Sequence, residues 1–345
     1  MSANLAQLPQ PVCIVLKSDA LSIAAATALA GALTATDARW AVHTISHYTA
    51  AAADEVLHDD YPAFLILECN TPVFKEKLAA KNAFFLDAAQ AYDAAAAHAP
   101  EARSSAMLLV AGAVARHHEQ ACALDVPDRP LEDALQQHQL LFPRSEPLIE
   151  ITEDFILSLQ SNDRLLPRKV TELAQLLTAT ARTGKASLAI AALLGDAAAR
   201  ESSFRTWAAF RNDLAEAIRW YEQNKHECSM AGHGYVIVQL GEYPAPSIAA
   251  PLAAHLAHSQ SLEDYTFILV TVHTSTGRVR FSLRTAGHRK DINLAELLRA
   301  ITQKLDADVG GNPYAAGGTV AKDDEQRFID SARNVLGQVF AEEHI

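Results

Sequence analysis

Cysteine is scarce. Cys13, Cys69, Cys122 and Cys228 are spread along 345 residues with no CxxC pair, which argues against a disulfide framework and against a cysteine zinc site. No stretch of about 20 residues is both apolar and free of charge, so no membrane-spanning helix and no membrane partner are expected. The first residues, Met1 to Gln7, offer neither the basic start nor the apolar core of a secretory signal, and a cytoplasmic location is expected. Positive charge is the other shortage: 29 Lys+Arg stand against 41 Asp+Glu, a formal net charge of −12. Proteins that coat duplex DNA neutralise phosphates and are usually basic. Whole-chain attraction to nucleic acid is therefore not supported, and a local basic groove or docking onto a basic protein stays open. The low Lys content does not fit a hyperthermophilic chain.

What is present suits ordinary folded domains. Half of the residues are apolar and 20% are charged, enough to build buried cores. At roughly 100–200 residues per domain, the length predicts two or three domains. Apolar runs at 11–16, 40–45, 64–67 and 83–86 read as strands, and alanine-rich or amphipathic stretches at 21–33, 50–57 and 71–80 read as helices between them. This alternation predicts a doubly wound parallel sheet, in which ligands sit outside the carboxyl ends of the strands. Asp19, Glu68 and Asp87 fall at or just past those ends.

A long apolar helix is expected over 104–123, and an amphipathic one near Leu131–Leu141 follows in a stretch punctuated by Pro127, Pro130, Pro143 and Pro147. Residues 152–222 read as helical, and the polar run Glu222–His226 reads as a linker. From Gly234 onward, alternating segments at 235–240, 266–273 and 279–283 predict strands, with a hairpin turn at Ser275-Thr276-Gly277. A helix over 294–305 precedes the glycine-rich segment 310–318, which is expected to be a loop leading to a short strand and a C-terminal helix over 324–340. The organisation predicted is 1–125 as an α/β domain, 126–225 as a helical connector and 226–345 as a smaller α/β domain.

The C-terminal residues Phe281-Ser282-Leu283-Arg284, a helix, and then Gly310-Gly311-Asn312-Pro313-Tyr314-Ala315-Ala316-Gly317 resemble the DHH-associated C-terminal domain of the DHH phosphoesterase superfamily. Members carry a strand with Ser-x-Arg and then GGGHxxAAG; here the His is Asn312, which hydrogen-bonds but cannot be protonated. Glycine lets backbone N–H groups approach an anion, and a nearby Arg completes the site. The stretch 176–185, with Arg182 and Gly184, followed by Leu194-Gly195-Asp196, looks like the corresponding stretch of archaeal RecJ-like proteins.

The resemblance implies two divalent metals, usually manganese, held by HxDxDG, a later Asp, DHH and a further Asp. Several hard anionic ligands are what such a pair needs. Aligned here, HxDxDG becomes Lys17-Ser18-Asp19-Ala20-Leu21-Ser22, the next Asp becomes Glu68, DHH becomes Asp87-Ala88-Ala89, and the last Asp becomes Arg116. Asp19, Glu68 and Asp87 are the remaining carboxylates, while Lys17, Leu21, Ala88, Ala89 and Arg116 replace ligands. A cation repels a divalent ion, so the expectation is no bound metal and no catalytic residue, with Lys17 and Arg116 paired to those carboxylates. His117-His118 is a weak alternative, because consecutive rings on a helix point about 100° apart.

Nucleic-acid contacts are expected from Arg278, Arg280, Arg284, Gly310, Gly311, Asn312 and Arg182, with His288, Arg289 and Lys290 extending the basic patch. The aromatics Trp207, Phe210, Trp220 and Tyr221 fall near helical spacing and read as core. By family resemblance, the chain is expected to be a catalytically inactive RecJ-like scaffold or single-strand-guiding subunit. A degenerate DHH protein joins GINS and the MCM ring in eukaryotic replication, and GINS or MCM are the partners this implies. Two other readings stand beside it: an active exonuclease or oligonucleotide phosphodiesterase using Mn2+ or Mg2+, and a regulatory partner of an active DHH nuclease. DNA and RNA are not distinguished, because the 2′-OH contacts are not legible in the sequence.

Overall fold

The computed structural model describes residues 4–45, 48, 50–69, 71–79, 81–120, 124–139, 157, 166–242, 245–259, 262–287 and 292–342. The chain divides into two compact units, Met1–His117 with Ala123–Ala208, and His118–Cys122 with Ala209–Ile345. The predicted architecture is present: a parallel-sheet domain, a helical segment and a C-terminal sheet domain.

In the first unit, β1 (Val12–Lys17), β2 (Trp40–Ile45), β3 (Ala63–Leu67) and β4 (Ala83–Leu86) form a parallel sheet in the order β2-β1-β3-β4. Register pairs Val12 with Trp40, Cys13 with Phe64, and Leu65 with Phe84. β1 and β3 are unbroken apolar runs because both faces of the sheet are covered. Ile14, Leu16, Leu65 and Leu67 pack with α1 (Ala20–Ala35), α4 (Ala88–His98) and α5 (Ala106–Gln120). Cys13, Val15, Phe64 and Ile66 pack with α2 (Ala50–His58) and α3 (Pro72–Leu78). Nearly every residue of α1 is buried, so its alanines serve close packing on all sides as well as helix propensity.

The strand order reverses between β1 and β3, which places the ligand crevice of such a sheet beyond the ends of those two strands. Above it, α5 approaches the first turn of α1 closely: a Cβ on Gly112 would lie 2.9 Å from the Leu21 Cα. Further along the chain come α6 (Asp128–Gln139), α7 (Val170–Arg182), α8 (Ala186–Leu193) and α9 (Ala197–Cys228). Leu173, Leu177 and Ile190 join the α1 core. Pro143, Pro147 and most of the expected helical stretch before residue 166 lie outside the described residues.

The polar run 222–226 is not a linker but the end of α9. Asn224 donates to the Trp220 carbonyl at 2.8 Å, and Lys225 pairs with Glu222 at 3.2 Å. Long charged side chains are good helix formers, and polarity alone does not end a helix.

The second unit holds a six-stranded sheet in the order β5-β6-β7-β8-β10-β9, with β5 (Ser229–Gly232), β6 (Tyr235–Gln239), β7 (Phe267–His273), β8 (Arg278–Thr285), β9 (Ala307–Asn312) and β10 (Ala315–Ala321). Only the β6–β7 pairing is parallel among those described. Phe267, Leu269, Val279, Phe281 and Leu283 meet α11 (Leu294–Thr302) and α12 (Glu325–Glu342) in one core. On the sheet's other side α10 (Ala249–His258), an element the sequence reading did not include, packs against β7 and β8.

The glycine-rich segment is a correction. Residues 310–318 do not form a loop; they lie in the β9–β10 hairpin, with Gly317 opposite Gly310 and Ala316 opposite Gly311. Side chains hide this strand pair from a propensity reading, since glycine and alanine are poor strand formers. Close approach of the backbones is the reason for glycine: a Cβ on Gly318 would run into the Asp308 carbonyl oxygen. Gly232-His233-Gly234 contains the turn of the β5–β6 hairpin, with His233 edge-on to Phe340 at 4.8 Å.

Candidate functional site

The three carboxylates sit where the strands end, and each is already engaged. Asp19 is the N-cap of α1: it accepts from the Ser22 N–H at 2.9 Å and the Ser22 hydroxyl at 3.0 Å. Asp87 is the N-cap of α4, accepting from the Gln90 N–H at 2.7 Å while the Gln90 side chain accepts from the Asp87 N–H at 3.1 Å, a complete capping box. The sequence carries that signal in the spacing of Asp87 and Gln90, and the sequence reading overlooked it.

Glu68 follows β3 at φ +54, a left-handed conformation unusual for a residue with a side chain. Both carboxylate oxygens are engaged. Oε1 accepts from the Ala88 N–H at 2.7 Å, and Oε2 accepts from the Arg116 guanidinium at 2.7 Å. The side chains of Glu68 and Arg116 are 16% and 35% exposed. Glu68 therefore ties β3, the start of α4 and α5 together at the sheet's carboxyl edge.

Lys17 departs from expectation. No described carboxylate pairs with it. Asp19 is turned to its own helix, and the Glu68 oxygens face Arg116 and the Ala88 N–H. Leu21 and Ala88 are buried, and Ala89 is half-buried on α4. Nearby, the Tyr48 hydroxyl donates to the Leu67 carbonyl. Burial first, and then the Asp19 charge, push that phenol well above its ordinary range. Ser18 donates to the Ala181 carbonyl at 2.9 Å, which sets the residue before Arg182 against the β1–α1 loop.

The donor set does not fit a metal pair. Among the described residues, no three His, Cys, Asp or Glu side chains converge as ligands. At the positions that would have to supply anionic ligands stand a buried leucine, two alanines, a lysine and an ion-paired arginine. A divalent ion there would have to displace Arg116 and strip both helix caps.

The second unit brings another set together. On the sheet face away from α11 and α12, Ser282, Gly317 and Gly310 lie side by side across β8, β10 and β9, and Arg280, Thr319 and Asp308 form the next row. Arg284 is only 6% exposed and donates to the Leu283 carbonyl at 2.9 Å and the Ser282 hydroxyl at 3.1 Å. Arg278 is held by Thr319 at 3.0 Å and pairs with Asp306 at 3.4 Å, whereas Arg280 is exposed. Asn312 closes the β9–β10 turn, its Oδ1 accepting from the N–H groups of Tyr314 at 2.8 Å and Ala315 at 2.9 Å. Gly311, at φ +142, also serves this hairpin. Arg182 belongs to the first unit, so the expected set is divided between two bodies. His288, Arg289 and Lys290 lie outside the described residues. Phe210 and Tyr221 are buried, as core aromatics are.

Residues 233–338 match the DHHA1 domain. Along its length the chain is similar to RecJ from Thermus thermophilus in complex with Mn2+, at 14% identity and TM-score 0.67, covering 97% of this chain and 53% of that one. The chain has the RecJ-like DHH fold. It spans about half the length of the Thermus RecJ. An exonuclease RecJ bound to manganese matches at 14% identity and TM-score 0.64, over 96% of this chain and 91% of the other. CDC45 from Entamoeba histolytica matches at 7% identity and TM-score 0.58, over 94% and 95%. No curated protein sequence matches. At these identities the RecJ-like likeness is one of fold, and the chemistry has to be argued from this chain's own side chains. Among the described residues, no helix is long and apolar enough to cross a membrane.

Proposed function

We propose that this RecJ-like chain is a non-hydrolytic subunit that guides single-stranded nucleic acid and scaffolds an assembly with GINS and the MCM helicase. The observation that carries the non-hydrolytic part is the Glu68–Arg116 ion pair at 2.7 Å in the crevice beyond β1 and β3. A guanidinium occupies the place of an anionic ligand, and the other two carboxylates are committed to helix caps. The exposed position of Arg280 on β8 of the DHHA1 sheet supports strand binding. The GINS and MCM assignment rests on the family resemblance and on the fold shared with CDC45.

Two assays test this reading. Incubation with Mn2+ and a short labelled strand is expected to release no mononucleotide above the level seen for Asp87→Ala. Pull-down from the source organism is expected to recover GINS or MCM subunits. Manganese-dependent release that Asp87→Ala abolishes, or isolation from native cells as a partner-free monomer, contradicts it.

A further inference from the structure

A cleft of about 810 Å³ lies in the first unit along one face of α4. The α4 residues that line it, from Gln90 to His98, recur three and four apart and so share one side of the helix. Glu68, Arg116 and the two capping aspartates do not line it. Its floor is apolar: Leu5 and Leu86 are each 3% exposed, and Ala94 offers only a methyl group to fill the space. The volume is that of a small-molecule pocket, about 300–1,000 Å³, in which a few placed polar groups orient an apolar ligand.

Three polar side chains around this floor are oriented by the fold itself. Gln90 Oε1 accepts from the Asp87 N–H at 3.1 Å, so the amide NH2 is turned away from the cap, and it has no partner among the described residues. Asp93 Oδ1 accepts from Arg129 at 2.8 Å, which leaves Oδ2 as an acceptor. The Thr36 hydroxyl donates to the Leu33 carbonyl at 3.2 Å, so its oxygen accepts from the His98 Nε2–H at 2.8 Å. Nδ1 of the neutral ring is then an acceptor as well. Groups already held in place lose little freedom when a ligand arrives.

Gln90 and Asp93 are one turn apart on α4, with Cβ atoms about 5–6 Å apart. Together they present a donor beside an acceptor. The hydrogen-bonding edge of a nucleobase offers the complement, an acceptor beside a donor, and such bases sit between apolar side chains. A peptide amide has the same edge, but it lacks the flat ring that would cover Leu5, Leu86 and Ala94. His98 follows Asp93 by five residues, about 7 Å along the helix, where its Nδ1 meets a sugar hydroxyl. We propose that this cleft binds a nucleobase and its sugar, with Gln90 and Asp93 reading the base edge and His98 holding the sugar. The proposal goes beyond the proposed function, since it requires neither the DHHA1 sheet nor a protein partner.

Titration calorimetry of the full chain with adenosine, guanosine, cytidine and uridine tests for a free nucleoside. Fluorescence anisotropy with labelled dA20, dC20 and dT20 tests for a base within a strand. The variants are Gln90→Glu and Ala97→Trp. Gln90→Glu keeps an acceptor for the Asp87 N–H, so the capping box and the melting temperature are expected to be retained while the outward donor is lost. Ala97→Trp fills the cleft from an exposed position on α4. At least one probe is expected to bind wild type saturably, and both variants are expected to weaken it about ten-fold. Whether that probe is a nucleoside or a strand identifies the source of the base and keeps the proposal. Ribose 5-phosphate is the control, and binding as tight as that of the best nucleoside overturns base reading. If no probe binds, or if either variant stays within two-fold of wild type, the site is overturned. Strand binding that both variants leave unchanged overturns the cleft while the proposed function stands.

Discussion

The Arg116 guanidinium lies 2.7 Å from the Glu68 carboxylate, joining the last turns of α5 to the end of β3. Glu68 also accepts the Ala88 N–H, so one side chain satisfies an orphan donor at the start of α4 and balances a cation. The pair thereby ties together β3, the start of α4 and α5 at the sheet's carboxyl edge.

Removing one partner is expected to cost more than removing both. Exposed pairs contribute roughly 0–1 kcal/mol and breaking a buried pair costs about 3–5. With Glu68 mostly buried and Arg116 about a third exposed, Arg116→Ala is expected to destabilise by about 1–3 kcal/mol. Urea unfolding of Arg116→Ala, Glu68→Ala and the double variant measures the coupling. A double variant whose loss equals the sum of the two single losses would show that the contact does not stabilise the fold.

Asp87 and Asp19 are predicted to act as caps. Asp87→Ala removes the carboxylate that accepts the Gln90 N–H and is expected to cost about 1 kcal/mol, with Asp87→Asn close to wild type. Thermal melts of Asp87→Ala, Asp87→Asn and Asp19→Ala check this. Equal melting of Asp87→Ala and wild type would refute the cap.

Gly318 is predicted to be required for the hairpin itself. Gly318→Ala forces the new Cβ into the Asp308 carbonyl, and a loss of about 2 kcal/mol is expected. Asn312→Ala, which frees two turn N–H groups, is expected to lose about 1 kcal/mol. If Gly318→Ala leaves the urea midpoint unchanged, the strands are not held that closely.

Stability is predicted to fall in alkali. Burial first, and then the Asp59 charge, push the Cys13 thiol from 9.0 up to about 12. The unfolded chain loses that proton near pH 9 while the folded chain keeps it. Between about pH 9 and pH 12 the native state therefore holds more protons, and its stability drops as pH rises. Tyr48 and Tyr92, also raised mainly by burial, act in the same direction at higher pH. Cys13→Ala is expected to lose less stability than wild type between pH 8 and pH 10.5, read from urea midpoints. Parallel losses would contradict the assignment.

The parallel sheet was legible because Val12–Leu16 and Ala63–Leu67 are unbroken apolar runs set between helices. The pairing of Arg116 with a carboxylate at the strand ends was legible from charge, and the structure gives it as the Glu68–Arg116 contact. The fate of Lys17 was not legible. It depends on Asp19 turning to Ser22, a local hydrogen bond that competes with any ion pair. The β9–β10 hairpin was hidden because its glycines carry no alternating side chains, and its pairing depends on backbone approach.

Calorimetric titration of Mn2+ into the full chain tests the central claim most directly. A crevice held by Arg116 and Glu68 predicts no saturable heat up to millimolar Mn2+. Saturable binding of two manganese ions per chain at micromolar concentration would contradict it.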